Sequence, residues 1–105
     1  MIVRIWRGQA TSENADTYYH HVTTTVFPSL TGIPGHRGAY LLRRETGGQV
    51  EFLAVTLWAS LEAVRAFAGP DAEVAVVEPE ARAVLAEFDE FARHYELVWG
   101  EGAAP

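Results

Sequence analysis

The chain has 105 residues, room for one hydrophobic core, and its 49% hydrophobic against 21% charged side chains is the composition of a globular protein. A formal net charge of −6, with eight Arg and no Lys, argues against a nucleic-acid partner, because neutralising phosphates needs clustered cations. The lack of cysteine excludes disulfides, thiolate metal sites, iron–sulfur clusters and cysteine nucleophiles. The opening MIVRIWRGQ alternates and then turns polar rather than running apolar, so a cytoplasmic protein with no membrane partner is expected.

Residues 2–9 are rich in β-branched and aromatic side chains and read as a strand, with Val3, Ile5 and Arg7 on one face and Ile2, Arg4 and Trp6 on the other. Thr11-Ser12-Glu13-Asn14 offers capping side chains, Asp16 suits the positive end of a helix dipole, and residues 15–30 gather Ala15, Tyr18, Tyr19, Val22, Val26 and Leu30 on one helical face. Pro28 limits how far that helix stays regular. His20 and His21 lie within it, but neighbours on a helix diverge by about 100°, so the two cannot share one metal ion. His20 falls on the solvent side, and His21 on the boundary beside Tyr18.

Gly32-Ile33-Pro34-Gly35 is a turn, residues 36–45 a strand, Gly47-Gly48 a tight hairpin and residues 50–58 the partner strand, apolar on both faces apart from Glu51 and Thr56. Ser60 caps a second helix that ends at Gly69-Pro70 with Leu61, Val64, Phe67 and Ala68 inward. Residues 72–77 suggest one helical turn, 79–88 another helical piece and 90–99 a last strand. Residues 1–99 are thus expected to be one domain, and 100–105 a frayed tail.

Strand, helix, strand, strand, helix, strand is the order of an α+β, ferredoxin-like protomer: a four-stranded antiparallel sheet with its helices on one face. Since every strand carries apolar side chains on both faces, the other face needs cover too. A second copy of the chain supplies it, and a homodimer is expected.

MIVRIWRG, PGHRGAYLLRR, VEFLAVTLWASLEAVRAFAG and HYELV together resemble the antibiotic biosynthesis monooxygenase family, over nearly the whole chain to Trp99. The resemblance implies ferredoxin-like protomers that pair as a dimeric α/β barrel. It also implies either hydroxylation of aromatic polyketides without metal or flavin, or haem degradation. At the places where the haem-degrading branch has Asn, Trp and His, this chain has Arg7, Phe67 and Val77. Of the polyketide branch's set, Trp58 matches, whereas Ala54 and Val64 stand where Asn and Tyr are found.

An electron-rich phenol, quinol or anthrone can pass an electron to O₂ once deprotonated, so such a protein need only bind the substrate, take a proton and stabilise an anion. No cofactor is then needed. No phosphate-cradling loop or close His/carboxylate spacing is found, so neither a cofactor nor a metal site is expected. The site is placed between helices and sheet. His21 or His94 would be the base, His94 sharing a strand face with Glu96. Arg7 and Tyr40 would stabilise the anion, with Trp58, Phe52, Phe67 and Tyr18 as the walls around a small aromatic or hydrophobic molecule. The alternative is a non-catalytic dimer that binds such a molecule.

Overall fold

In the computed structural model, which describes residues 1–102, strand β1 (Ile2–Thr11) is the centre of an antiparallel sheet. Residues 103–105 of the expected tail lie outside the described residues. Helix α1 (Ala15–His21) follows, runs on through a π-helical turn (Val22–Val26) and ends as α2 (Phe27–Leu30). The widened turn has local causes. Pro28 has no N–H to give the carbonyl four residues back, and the hydroxyls of Thr23 and Thr24 donate to the carbonyls of Tyr19 and His20 at 2.8 and 2.5 Å.

Strands β2 (His36–Thr46) and β3 (Gln49–Trp58) form the expected hairpin, with Gly47 and Gly48 both at positive φ (58° and 80°) where other residues are strained. Helix α3 (Leu61–Ala68) begins at Ser60, whose side chain accepts from the Ala63 N–H at 3.2 Å, and ends at Gly69. Helix α4 (Pro79–Val84) is followed by two short strands, β4 (Glu87–Phe88) and β5 (Arg93–Glu96). The sheet order is β2-β3-β1-β4, with β5 also on β1, which is the ferredoxin-like arrangement.

Three expectations for the last third are corrected. The helical piece over 79–88 ends at Val84, and Glu87 and Phe88 pair as β4 with Gly8 and Gln9. The strand over 90–99 is only β5, Arg93–Glu96, against Ile2 to Ile5. Between β4 and β5 the chain leaves β1 and bonds to residues 73–75 instead, through Ala75 N–H to Glu90 O at 2.9 Å and Ala92 N–H to Glu73 O at 2.8 Å. Nor do residues 72–77 make a helical turn. Their valines favour extended backbone, and extension leaves the Ala72 and Val74 carbonyls free for a side chain.

Strand alternation then decides what meets the helices. Arg4, Trp6, Gly8 and Ala10 of β1 and Val50, Phe52, Ala54, Thr56 and Trp58 of β3 lie on the helix side. Gly8 allows the Trp6 ring to lie close, since a Cβ there would stand 2.9 Å from it. Two buried clusters result: Tyr18, Val22, Val50 and Phe52 at one end, Leu30, Trp58 and Val64 at the other.

The opposite face carries Val3, Ile5, Tyr40, Leu42, Leu53, Val55 and Leu57 in register, and no element of the described chain lies over it. At its end Glu51 accepts from Arg7 Nε at 2.5 Å and from Arg44 Nε at 2.9 Å, and Arg7 reaches Glu87 at 3.4 Å. The hydrogen bond from Arg7, and next that from Arg44, hold the Glu51 carboxyl below the usual carboxylate range. A lowered carboxyl pKa contributes stability above its unfolded value of about 4.3, which is lost as pH falls through the folded value. Urea unfolding of wild type and Glu51→Gln should therefore differ at pH 7 and converge in acid below about pH 4. A gap unchanged down to pH 2 would contradict this role.

Candidate functional site

A cleft lies between the helices and the sheet, where the two core clusters part. Trp6, Tyr18, Phe27 and Phe67 wall it, Ala54 and Thr56 lie on its β3 side, and His21, Val76 and Glu78 stand on the side of α1 and the extended segment. It encloses about 90 Å³. One water needs roughly 10–15 Å³, so the space takes one aromatic ring, and the rest of a larger ligand extends through its open side.

Arg4 enters this cleft from β1 and is only 4% exposed. Its Nη1 donates to the Ala72 carbonyl and, at 2.9 Å, to His94 Nε2, while Nη2 donates to the Val74 carbonyl at 3.1 Å. The guanidinium also lies over the Phe67 ring, 5.7 Å from its centroid. Burial lowers the Arg4 pKa, but from so high a starting value that the group stays charged. Directly across the β1–β3 register is Thr56, 7% exposed, whose hydroxyl oxygen accepts the Trp58 indole N–H at 2.8 Å.

His21 closes the other side of the cleft. Its side chain is 12% exposed, its Nε2 is buried without a hydrogen-bond partner, and Glu78 Oε2 lies 3.7 Å away. The nitrogen so placed is open to a hydrogen bond or a proton from a group in the cleft. Tyr18 is buried on α1, and burial pushes its phenol well up, so it presents a neutral hydroxyl.

The site residues expected from the sequence are thus divided. His21, Tyr18 and Phe67 line the cleft. Phe52 and Trp58 are fully buried behind it: Phe52 packs on Tyr18 at 4.8 Å between ring centroids, and Trp58 stacks on Phe67 at 5.6 Å. Arg7 and Tyr40 are corrected, because strand alternation sends both to the face away from the helices, where Arg7 is held by Glu51. His94 lies against the cleft's arginine rather than pairing with Glu96. Burial, and then the Arg4 charge, lower its pKa, so the ring is neutral at pH 7. A guanidinium only donates, so Nε2 must be the acceptor and the proton sits on Nδ1. With that lone pair engaged, His94 is a positioning residue for Arg4. Arg4, Trp6, Phe27, Thr56 and Glu78 were not anticipated.

A model of the antibiotic biosynthesis monooxygenases matches residues 1–78. The chain belongs to the antibiotic biosynthesis monooxygenase family. Among solved structures, the haem-degrader MhuD of Mycobacterium tuberculosis is 23% identical with a TM-score of 0.63, over 97% of this chain and 100% of that one. SnoaB of Streptomyces nogalater, a cofactor-independent oxygenase, is 18% identical with a TM-score of 0.62, over 94% of each chain. A protein of Deinococcus radiodurans assigned to the same family is 12% identical with a TM-score of 0.69, over the whole of both chains. At these identities the structures share the fold. No curated protein matches the chain.

Of the groups this monooxygenase family can hold, a porphyrin does not fit the cleft. The space is too small for four pyrroles in one plane, and the one histidine lining it among the described residues has the Glu78 carboxylate beside its Nε2. Among the described residues a divalent ion has one candidate place. His21, Glu78 and Glu80 bring ligand atoms within 4.8 Å of one another, a grouping the sequence hid because the histidine and the glutamates come from distant segments. No described helix is long and apolar enough to cross a membrane. Titration with hemin should give no saturable Soret shift. A stoichiometric shift abolished by His21→Ala would contradict the poor fit.

Proposed function

We propose that this member of the family is a cofactor-independent monooxygenase acting on a small aromatic or polyketide-like compound of the anthrone or quinol type. The observation that carries the reading is the unpartnered, buried Nε2 of His21 in an aromatic-walled cleft whose other charged lining groups are Arg4 and Glu78. The cation favours the substrate's anion, and the imidazole is free to take the proton.

For an anthrone-type CH₂ the chemistry balances without a reductant. His21 removes one proton, and the carbanion passes one electron to O₂. The carbon radical and superoxide then join in a C–O bond, and the peroxide takes a proton back from His21. Loss of the second C–H proton breaks the O–O bond, leaving C=O and water. The substrate supplies all four electrons that O₂ accepts. Ala54 and Ala81 supply small walls beside the aromatic ones, Trp6 and Phe67 among them.

Oxygen uptake with a panel of anthrones and quinols tests this. The expected result is a rate above buffer for at least one of them, with His21→Ala lowering kcat/KM by about 10²-fold or more while the far-UV spectrum is kept. No rate above buffer across the panel would remove the reading and leave a protein that binds such molecules without turning them over.

The working unit is proposed to be a homodimer. The uncovered sheet face is apolar over three strands, and Leu42 (50% exposed) and Tyr95 (51%) extend it. Sedimentation at micromolar concentration should give twice the chain mass, and Leu42→Glu should shift it to monomer without unfolding it. A well-folded wild-type monomer would contradict the proposal.

A further inference from the structure

The two buried polar side chains of the described core, Arg4 and Thr56, face each other across the β1–β3 register at the cleft. A guanidinium has five N–H donors. Both on Nη1 are used, by the Ala72 carbonyl and His94 Nε2, and one on Nη2 is used by the Val74 carbonyl. Nε–H and the second Nη2 hydrogen have no hydrogen-bond partner among the described residues. Thr56 accepts from Trp58, which leaves its own O–H to donate.

The charge is as incomplete as the hydrogen bonding. Among the described residues no carboxylate lies within 4.0 Å of Arg4, and the ion pairs that do form use Arg7, Arg43, Arg44 and His21. The groups that hold Arg4 are two neutral carbonyls and a neutral imidazole. A buried cation without a counter-ion is costly, and an arriving anion recovers that cost. Glu78, the carboxylate lining the cleft, is turned to His21.

We infer that the cleft is built for an aromatic carboxylic acid, whose two oxygens meet the free Nε–H/Nη2–H edge of Arg4 and the Thr56 hydroxyl while its ring lies between Trp6, Tyr18, Phe27 and Phe67. Two parallel donors match a carboxylate's two oxygens. A phosphate dianion would ask for more than one cation in so apolar a place. The inference rests on the cleft being the ligand site proposed above, but it does not require turnover. His94 serves it indirectly, by accepting the second hydrogen of Nη1.

Calorimetric titration of the wild-type protein at pH 7.5 with 2-naphthoate and with 2-naphthamide tests it, since the two differ in charge and hardly in shape. The acid should bind at least about tenfold more tightly. Arg4→Gln should abolish the preference, and Arg4→Lys, which keeps the charge but not the fork, should weaken it. Equal binding of acid and amide to wild type overturns the inference and leaves the cleft as a ligand site. Binding of neither overturns both. A preference that survives intact in Arg4→Gln or Arg4→Lys overturns the role of Arg4. The wild-type comparison stands even if neither variant folds, and oxygen uptake without acid preference separates this failure from that of the oxygenase reading.

Discussion

A guanidinium held under the helices by backbone carbonyls is the constraint on which the site depends. Arg4 fixes the extended segment at 72–74 to β1 through the Ala72 and Val74 carbonyls, and that segment forms the wall carrying Val76, Val77 and Glu78. Had those residues coiled into a helical turn, their carbonyls would have gone to helical N–H groups. The arginine and the extended backbone therefore require each other. Between them they keep the cleft open between the two core clusters, where apolar side chains would otherwise close the space.

The two faces of the sheet divide the work. On the helix side β1 and β3 supply small residues, Gly8, Ala10 and Ala54, so that aromatic rings and α1 can approach. On the other side the same strands present Val3, Ile5, Leu53, Val55 and Leu57, a surface suited to a second sheet rather than to helices. The Arg7–Glu51–Arg44 group stands at the end of that surface, so the charge ladder and the ligand site do not share a face.

Much of the fold could be read from the chain: alternation in β1 and β3, the Gly47-Gly48 hairpin and the Ser60 cap each report a local rule that the tertiary structure obeys. The face of β1 could not be read with the same ease. Both of its faces are apolar, and the choice of Arg7 for the cleft followed Val3 and Ile5. The better signal was size, because Gly8 and Ala10 on the Arg4 face make room for helices, whereas Arg7 and Gln9 do not. The break between β4 and β5 was hidden for another reason. It depends on pairing with residues 73–75, a contact between segments no window of sequence spans. Glu78 beside His21 is concealed in the same way. His21 itself was visible, since helical geometry places it at the edge of the core face.

The site is thus described as one buried positive charge, anchored on one edge and open on the other. The most direct test is nitrogen-15 NMR of the arginine Nε–H groups in the wild-type protein. On addition of 2-naphthoate, the Arg4 Nε–H resonance should move downfield and exchange more slowly with solvent, while those of Arg7 and Arg44 stay in place. An Arg4 resonance unmoved at saturating ligand, or one already protected to the same degree without it, would contradict the account.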